Sequence, residues 1–85
     1  MREKTFMIAT LVIPSAEGAT QTFNLSLESR DGRNVFVSSH GHVIKGPYFR
    51  FVRDRMGARI ETDEVPLVAK VLGVPENEPG LVTKT

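Results

Sequence analysis

Three segments in the first half of the chain have the apolar patterns of β-strands. Residues 5–13, TFMIATLVI, are apolar on both alternating faces, as in a strand that lies centrally in a sheet. Residues 21–28, QTFNLSLE, alternate apolar and polar positions, and residues 34–38, NVFVS, return as a third strand. Asp31 and Gly32 between them suit a tight hairpin turn, because both residue types tolerate positive φ angles. The pattern predicts a three-stranded antiparallel meander.

The next segment, residues 47–56, has a helical rather than an alternating period. In a helix, five side chains fall within an arc of about 160° and would form a buried face: Tyr48, Phe49, Phe51, Val52 and Met56. Arg50 and Arg53 then project from the opposite side. Pro47 suits the first helical position, and Gly57 suits the position that ends a helix. Between this helix and the third strand, residues 43–44 either prolong that strand or form a short one of their own.

The last third of the chain predicts a short strand, a second helix and a tail. Residues 58–61 are briefly extended, and Asp63 is the expected N-cap of a helix with an apolar stripe. Gly73 ends that helix, and Pro75 prevents its continuation. Residues 76–85 contain two prolines, a glycine and several charges, which predicts a flexible tail without regular structure.

Together these elements predict a single small α+β domain over residues 1–75. A three-stranded antiparallel meander is followed by a basic amphipathic helix, a short strand and a C-terminal helix. A sheet this small needs its apolar face covered, and the two helices are the available covers. An 85-residue chain also has a thin core, so a homodimer that buries further apolar area is one possibility.

Charge is unevenly distributed along the chain, although the net charge at pH 7 is only +1. Residues 45–59 hold five basic groups against one acid, Asp54, whereas residues 60–85 hold two basic groups against five acids. A basic middle segment and an acidic end favour an anionic partner for the first and internal shielding by the second. A chance excess of arginine on a solvated helix face is the alternative explanation.

Candidate catalytic and metal-binding groups are sparse. The chain has no cysteine, which excludes disulfides and thiolate chemistry. His40 and His42 could share a face in an extended segment, but a transition-metal site needs a third or fourth ligand. Ser38 and Ser39 lack the sequence signature of an activated nucleophile, and no phosphate-binding glycine motif is present. We therefore expect no catalytic residues, no metal and no cofactor, and we expect that the protein is not an enzyme.

The basic residues are the remaining candidates for a function. Lysine and arginine bind nucleic-acid phosphates, so the sequence predicts a small nucleic-acid-binding or regulatory module with an arginine-rich helix surface. The candidate binding residues are Lys45, Arg50, Arg53, Arg55 and Arg59, extended by Arg30 and Arg33 at the hairpin tip. The alternative is an adaptor or inhibitor that docks on an acidic protein through the hairpin or the basic helix, since arginine is favoured in interfaces.

The sequence also carries an expectation about location. The apolar run of residues 6–13 is too short to span a bilayer, and it lacks the small-residue pattern of a cleavage site. We therefore expect a cytoplasmic protein without a membrane partner.

Overall fold

A computed structural model describes residues 7–84, which form one six-stranded sheet and two helices. In chain order the elements are β1 (Met7–Ile13), β2 (Gln21–Arg30), β3 (Arg33–Ser38), β4 (Val43–Ile44), α1 (Gly46–Met56), β5 (Arg59–Thr62), α2 (Val65–Leu72) and β6 (Leu81–Thr83). The strand order across the sheet is β4-β3-β2-β1-β5-β6. All neighbouring strands are antiparallel except β5 and β6, which are parallel.

The predicted α+β fold is confirmed. β1, β2 and β3 form the antiparallel meander, and α1, β5 and α2 follow in the expected order. Residues 5 and 6 of the predicted first strand lie outside the described residues. Val43 and Ile44 form a short strand of their own, which pairs with β3.

Both helices pack on the same face of the sheet. Leu11 of β1 lies opposite Phe23 of β2 on one side and Ile60 of β5 on the other. Leu11 and Ile60 belong to one buried cluster with Phe49 of α1 and Val68 of α2. Because these strand residues alternate with outward-facing ones, the cluster defines a two-layer domain with a single core beneath the helices.

The β2–β3 hairpin turns through the predicted dipeptide. Asp31 has a φ of 53° and Gly32 a φ of 77°, as a two-residue turn with positive φ at both central positions requires. Arg30 and Arg33 pair across the turn at the hairpin tip. The sequence therefore identified this turn and the position of its two arginines correctly.

The start of α2 differs from the expected Asp63 cap. The helix begins at Val65, and its N-cap residue, Glu64, makes no side-chain cap hydrogen bond. Instead, the Thr62 hydroxyl accepts a hydrogen bond from the Glu64 N–H at 2.9 Å and donates one to the Ile8 carbonyl, also at 2.9 Å. One buried hydroxyl thus joins β1, the end of β5 and the start of α2.

The segment after α2 also differs from the expected tail without regular structure. Leu81–Thr83 form β6, and Leu81 is buried opposite Ile60. The Ile60 N–H donates to the Gly80 carbonyl and the Lys84 N–H donates to the Thr62 carbonyl, each within 2.9 Å. A three-residue edge strand after two prolines has too short a pattern to be recognised in the sequence.

We predict that Thr62→Val lowers the free energy of unfolding by about 1–3 kcal/mol, because it keeps the side-chain shape and removes both hydrogen bonds of the hydroxyl. Chemical denaturation with urea measures the change.

Thr83→Val is the matched control, since Thr83 lies opposite Thr62 in the register but is exposed. Its effect should stay within about 0.5 kcal/mol. Equal losses of stability in the two variants would show that the Thr62 hydroxyl has no special role.

Candidate functional site

The seven basic residues that the sequence nominates fall into different environments. Four of them form ion pairs in the structure: Arg50 and Arg53 with Glu78, Arg59 with Glu61, and Arg30 with Glu28. Within residues 7–84, the structure gives Arg33, Lys45 and Arg55 no carboxylate partner. The arginine-rich helix surface is therefore partly neutralised from within the chain.

Glu78 is the centre of the most buried of these contacts, and only 8% of it is exposed. Arg50 donates to both carboxylate oxygens of Glu78, from Nε to Oε2 and from Nη2 to Oε1, at 2.8 Å each. Arg53 donates from Nη1 to Glu78 Oε2 and to the Pro79 carbonyl, the latter at 2.9 Å. We call the three side chains the Glu78 clamp. It holds the segment before β6 against α1.

The clamp changes the protonation behaviour of its members. Hydrogen bonds from Arg50 and then Arg53 lower the pKa of Glu78 to about 2 from an ordinary 4.5. The hydrogen bond to Glu78 in turn raises the pKa of both arginines. Glu78 therefore stays ionised throughout the range in which proteins normally work, and it opposes the charge of the two arginines.

The clamp lies toward the side of α1 that faces the rest of the molecule. Of the five apolar residues expected in its buried face, Phe49 and Val52 are buried, but Tyr48, Phe51 and Met56 are about half exposed. The expectation that all five are buried is wrong. Only 20% of the Arg53 side chain is exposed, because it reaches inward to Glu78 and Pro79. Arg53 thus occupies the inner side of α1, and Phe51 is turned outward.

The exposed aromatics form a stripe with a cation beside it. Tyr48, Phe51 and Arg55 are spaced at i, i+3 and i+7, which places them along one side of the helix. The Arg55 guanidinium carbon lies 5.2 Å from the centre of the Phe51 ring, within range of a cation–π interaction. We call these three residues the aromatic stripe.

Three of the nominated basic residues converge at a second place. Arg30 and Arg33 at the hairpin tip and Lys45 before α1 line one open groove of about 650 Å³. We call this the basic groove. All three side chains are exposed. The fold thus joins residues of the hairpin with the start of the basic helix, a relation that the sequence left open.

The charge of the basic groove is positive but partly compensated. Glu28 pairs with Arg30 at 3.1 Å, and Asp31 is the one acidic residue among the described side chains that line the groove. Lys45 precedes α1, which has no side-chain cap and no acid in its first turn. The partial positive charge of a helix N-terminus therefore adds to that of Arg33 and Lys45.

The histidine and serine candidates have structural contacts. The Ser38 hydroxyl accepts hydrogen bonds from the N–H groups of His40 and His42, each at 3.2 Å. The His40 ring packs edge-on against Phe23 at 5.4 Å between ring centres. In the part of the chain that the structure describes, no group of three or more acidic or histidine residues could hold a metal ion.

Sequence reasoning missed Glu78 and the exposure of the aromatic stripe. The excess of acid after residue 60 was the available signal for an internal partner of the basic helix. It did not identify which of the five acids would be buried. The stripe was missed because the helical period gives the width of an apolar arc and not the rotation of the helix against its sheet.

Comparison of the chain with protein-family models, with curated proteins and with solved structures found no match. Across residues 7–84, neither helix is long and apolar enough to cross a membrane.

We predict that the Glu78 clamp makes the stability of the protein depend on acidic pH. The pKa of Glu78 is lowered on folding, so the native state binds fewer protons than the unfolded state between about pH 4.5 and about pH 2. The clamp stabilises the native state fully above about pH 4.5, and this stabilisation is lost as the pH falls toward about 2. Urea denaturation at several pH values in this range measures the change in the free energy of unfolding.

Glu78→Gln should lower the free energy of unfolding near neutral pH, and its difference from the wild type should shrink as the pH approaches 2. Glu76→Gln, an exposed neighbour, is the matched control and should follow the wild-type curve. A constant difference between Glu78→Gln and the wild type at all these pH values would contradict the role of the carboxylate charge.

Proposed function

We propose that this protein is a non-enzymatic nucleic-acid-binding module whose basic groove holds backbone phosphates. The observation that carries the proposal is the convergence of Arg30, Arg33 and Lys45 on one open groove. The proposed binding surface therefore lies at the start of α1, whereas the sequence predicted it along the arginine-rich side of that helix. Arg50 and Arg53 stay candidates for nucleic-acid contact, but a phosphate would have to compete there with Glu78.

The groove has the properties that a phosphate backbone requires. Exposed lysine and arginine side chains attract phosphates and release condensed counterions, which gives affinity without base specificity. Arginine adds paired donors that match two phosphate oxygens. An open groove also admits a continuous strand, whereas a closed pocket would select a small ligand.

A protein partner is the second candidate, and the exposure of the stripe favours it. Tyrosine, phenylalanine, methionine and arginine are enriched in protein interfaces, and Tyr48, Phe51, Arg55 and Met56 present this combination on α1. The partner would be an acidic protein or a second copy of this chain. Nuclease-resistant capture of one stoichiometric protein, or a dimer in sedimentation equilibrium, would favour this function.

We predict that Arg33→Ala combined with Lys45→Ala weakens binding of a labelled oligonucleotide about tenfold, since each exposed charged group contributes up to about 1 kcal/mol. The slope of log affinity against log salt should fall by about 0.7 for each phosphate of a single strand that the variant no longer neutralises. Fluorescence anisotropy at several salt concentrations gives both values.

The charge-matched control is Lys70→Ala combined with Lys84→Ala, which removes two exposed cations outside the groove. It should change affinity far less than the groove variant. Equal effects of the two variants would mean that net charge alone governs binding, and absence of binding by the wild type would end the proposal.

We predict that Asp31→Asn strengthens oligonucleotide binding by about 1.4- to fivefold, because it removes an exposed negative charge worth roughly 0.2–1 kcal/mol. Asparagine tolerates the positive φ at this position, so the hairpin turn is retained.

The control is Glu17→Gln, the same charge change in the loop before β2, at the opposite end of that ten-residue strand. β2 itself spans about 30 Å, so Glu17 lies far from the hairpin tip. A gain with Glu17→Gln as large as with Asp31→Asn would place the binding elsewhere.

A further inference from the structure

We propose that the nucleic acid bound by this protein is single-stranded and that its bases stack on the aromatic stripe of Tyr48, Phe51 and Arg55. The inference rests on the proposed function, since the same strand would leave its phosphates in the basic groove. To the proposed function this inference adds the class of nucleic acid, a single strand, and the surface that would distinguish it from a duplex.

The exposure of two aromatic rings is the first observation. Tyr48 is 45% exposed and Phe51 53% exposed, although both lie on a helix that packs against the core. A small domain with a thin core would gain stability by burying such rings. Exposed apolar surface concentrated on one side of a helix marks an interaction site.

The geometry of the stripe suits flat ligands. Tyr48 and Phe51 lie about one helical turn apart, which puts their Cβ atoms about 5–6 Å from each other. Arg55 already holds its guanidinium 5.2 Å from the centre of the Phe51 ring. Proteins that bind single strands combine aromatic rings with arginine in this way, because every base has a face on which to stack.

Basic residues at both ends of the stripe, Lys45 and Arg55, favour a nucleic acid over an uncharged partner. Lys45 and Pro47 line the groove, and Tyr48 is the next residue along the chain. From Lys45 to Arg55 the helix advances about 15 Å, which equals about four stacked nucleotides at about 3.4 Å each. Asp54 is the sole acid in α1, and its carboxylate accepts a hydrogen bond from Arg53 rather than facing this path as a free charge.

The stripe favours a single strand over a duplex. In a duplex the faces of the bases are covered by their neighbours, so a side chain can stack only on bases that have left the helix. The basic groove alone would accept either form, because both carry phosphates. The stripe therefore supplies the discrimination that the groove lacks.

Tyr48 provides a direct test, because it is the only tyrosine and the chain has no tryptophan. Intrinsic fluorescence thus reports on one position of the stripe. We would titrate the protein separately with an all-thymine single strand, a duplex of equal length and inorganic polyphosphate. Parallel titrations of free tyrosine amide correct the fluorescence for light that the ligand absorbs. The single strand should quench Tyr48 saturably, in step with anisotropy of the labelled oligonucleotide. Polyphosphate should bind without comparable quenching.

Phe51→Leu keeps an apolar side chain and removes the ring. It should weaken single-strand binding about tenfold, as removal of the ring under one stacked base does, and leave polyphosphate binding unchanged. Phe51→Tyr should restore the affinity. Val82→Ala alters an exposed apolar residue on β6 and should have no effect on binding. Because Phe51 is exposed, thermal unfolding of Phe51→Leu should match the wild type.

The outcomes separate the two proposals. Single-strand binding that neither quenches Tyr48 nor depends on Phe51, or duplex binding of equal strength, would overturn the stacking inference and leave the basic groove intact. Failure of all three polyanions to bind would overturn the proposed function together with this inference. A dimer that Phe51→Leu dissociates in sedimentation equilibrium would assign the stripe to self-association and would also overturn it.

Discussion

The buried carboxylate of Glu78 is the constraint on which the arrangement of the molecule depends. It binds two arginines of α1 and so fastens the segment before β6 to the helix. Gly80 follows in close contact with the Arg53 side chain, where an added Cβ would lie 2.9 Å from Arg53 Cδ. The carbonyl of Gly80 then accepts the hydrogen bond that starts the pairing of β6 with β5. One acid therefore connects a helix, a turn and the edge of the sheet.

The same contact divides the basic segment into structural and free charges. Arg50 and Arg53 neutralise Glu78, whereas Arg55 lies over an aromatic ring and Lys45 opens onto the basic groove. Removal of Glu78 would leave the Arg53 side chain, which is only 20% exposed, with Asp54 and the Pro79 carbonyl as its remaining partners. The arginines that look most available in the sequence are consequently those most committed to the fold.

The sequence predicted what depends on local pattern and missed what depends on tertiary contacts. The meander, the Asp31–Gly32 turn and the C-terminal ends of α1 and α2 follow from alternation and from glycine conformations, which the chain encodes within a few residues. β6 and the partner of Arg53 depend on residues about 20–25 positions away in the chain, for which neither alternation nor helical period provides a signal. Composition identified the basic residues. Which of them belong to the Glu78 clamp and which to the basic groove depends on the three-dimensional fold.

The rotation of α1 about its own axis depends both on its local apolar pattern and on its tertiary contacts. At 100° per residue the five apolar residues of α1 span an arc of about 160°, with Phe51 at one edge and Phe49 at the other, and the helix buries the Phe49 edge. Arg53 lies next to Phe49 on this buried edge, and its long side chain reaches Glu78 from there. The contact of Arg53 with Glu78 therefore lies on the inner side of α1, whereas Tyr48 and Phe51 are exposed on its outer side together with Arg55. An interaction that stabilises the fold at one side of α1 thus creates the candidate binding surface at the other.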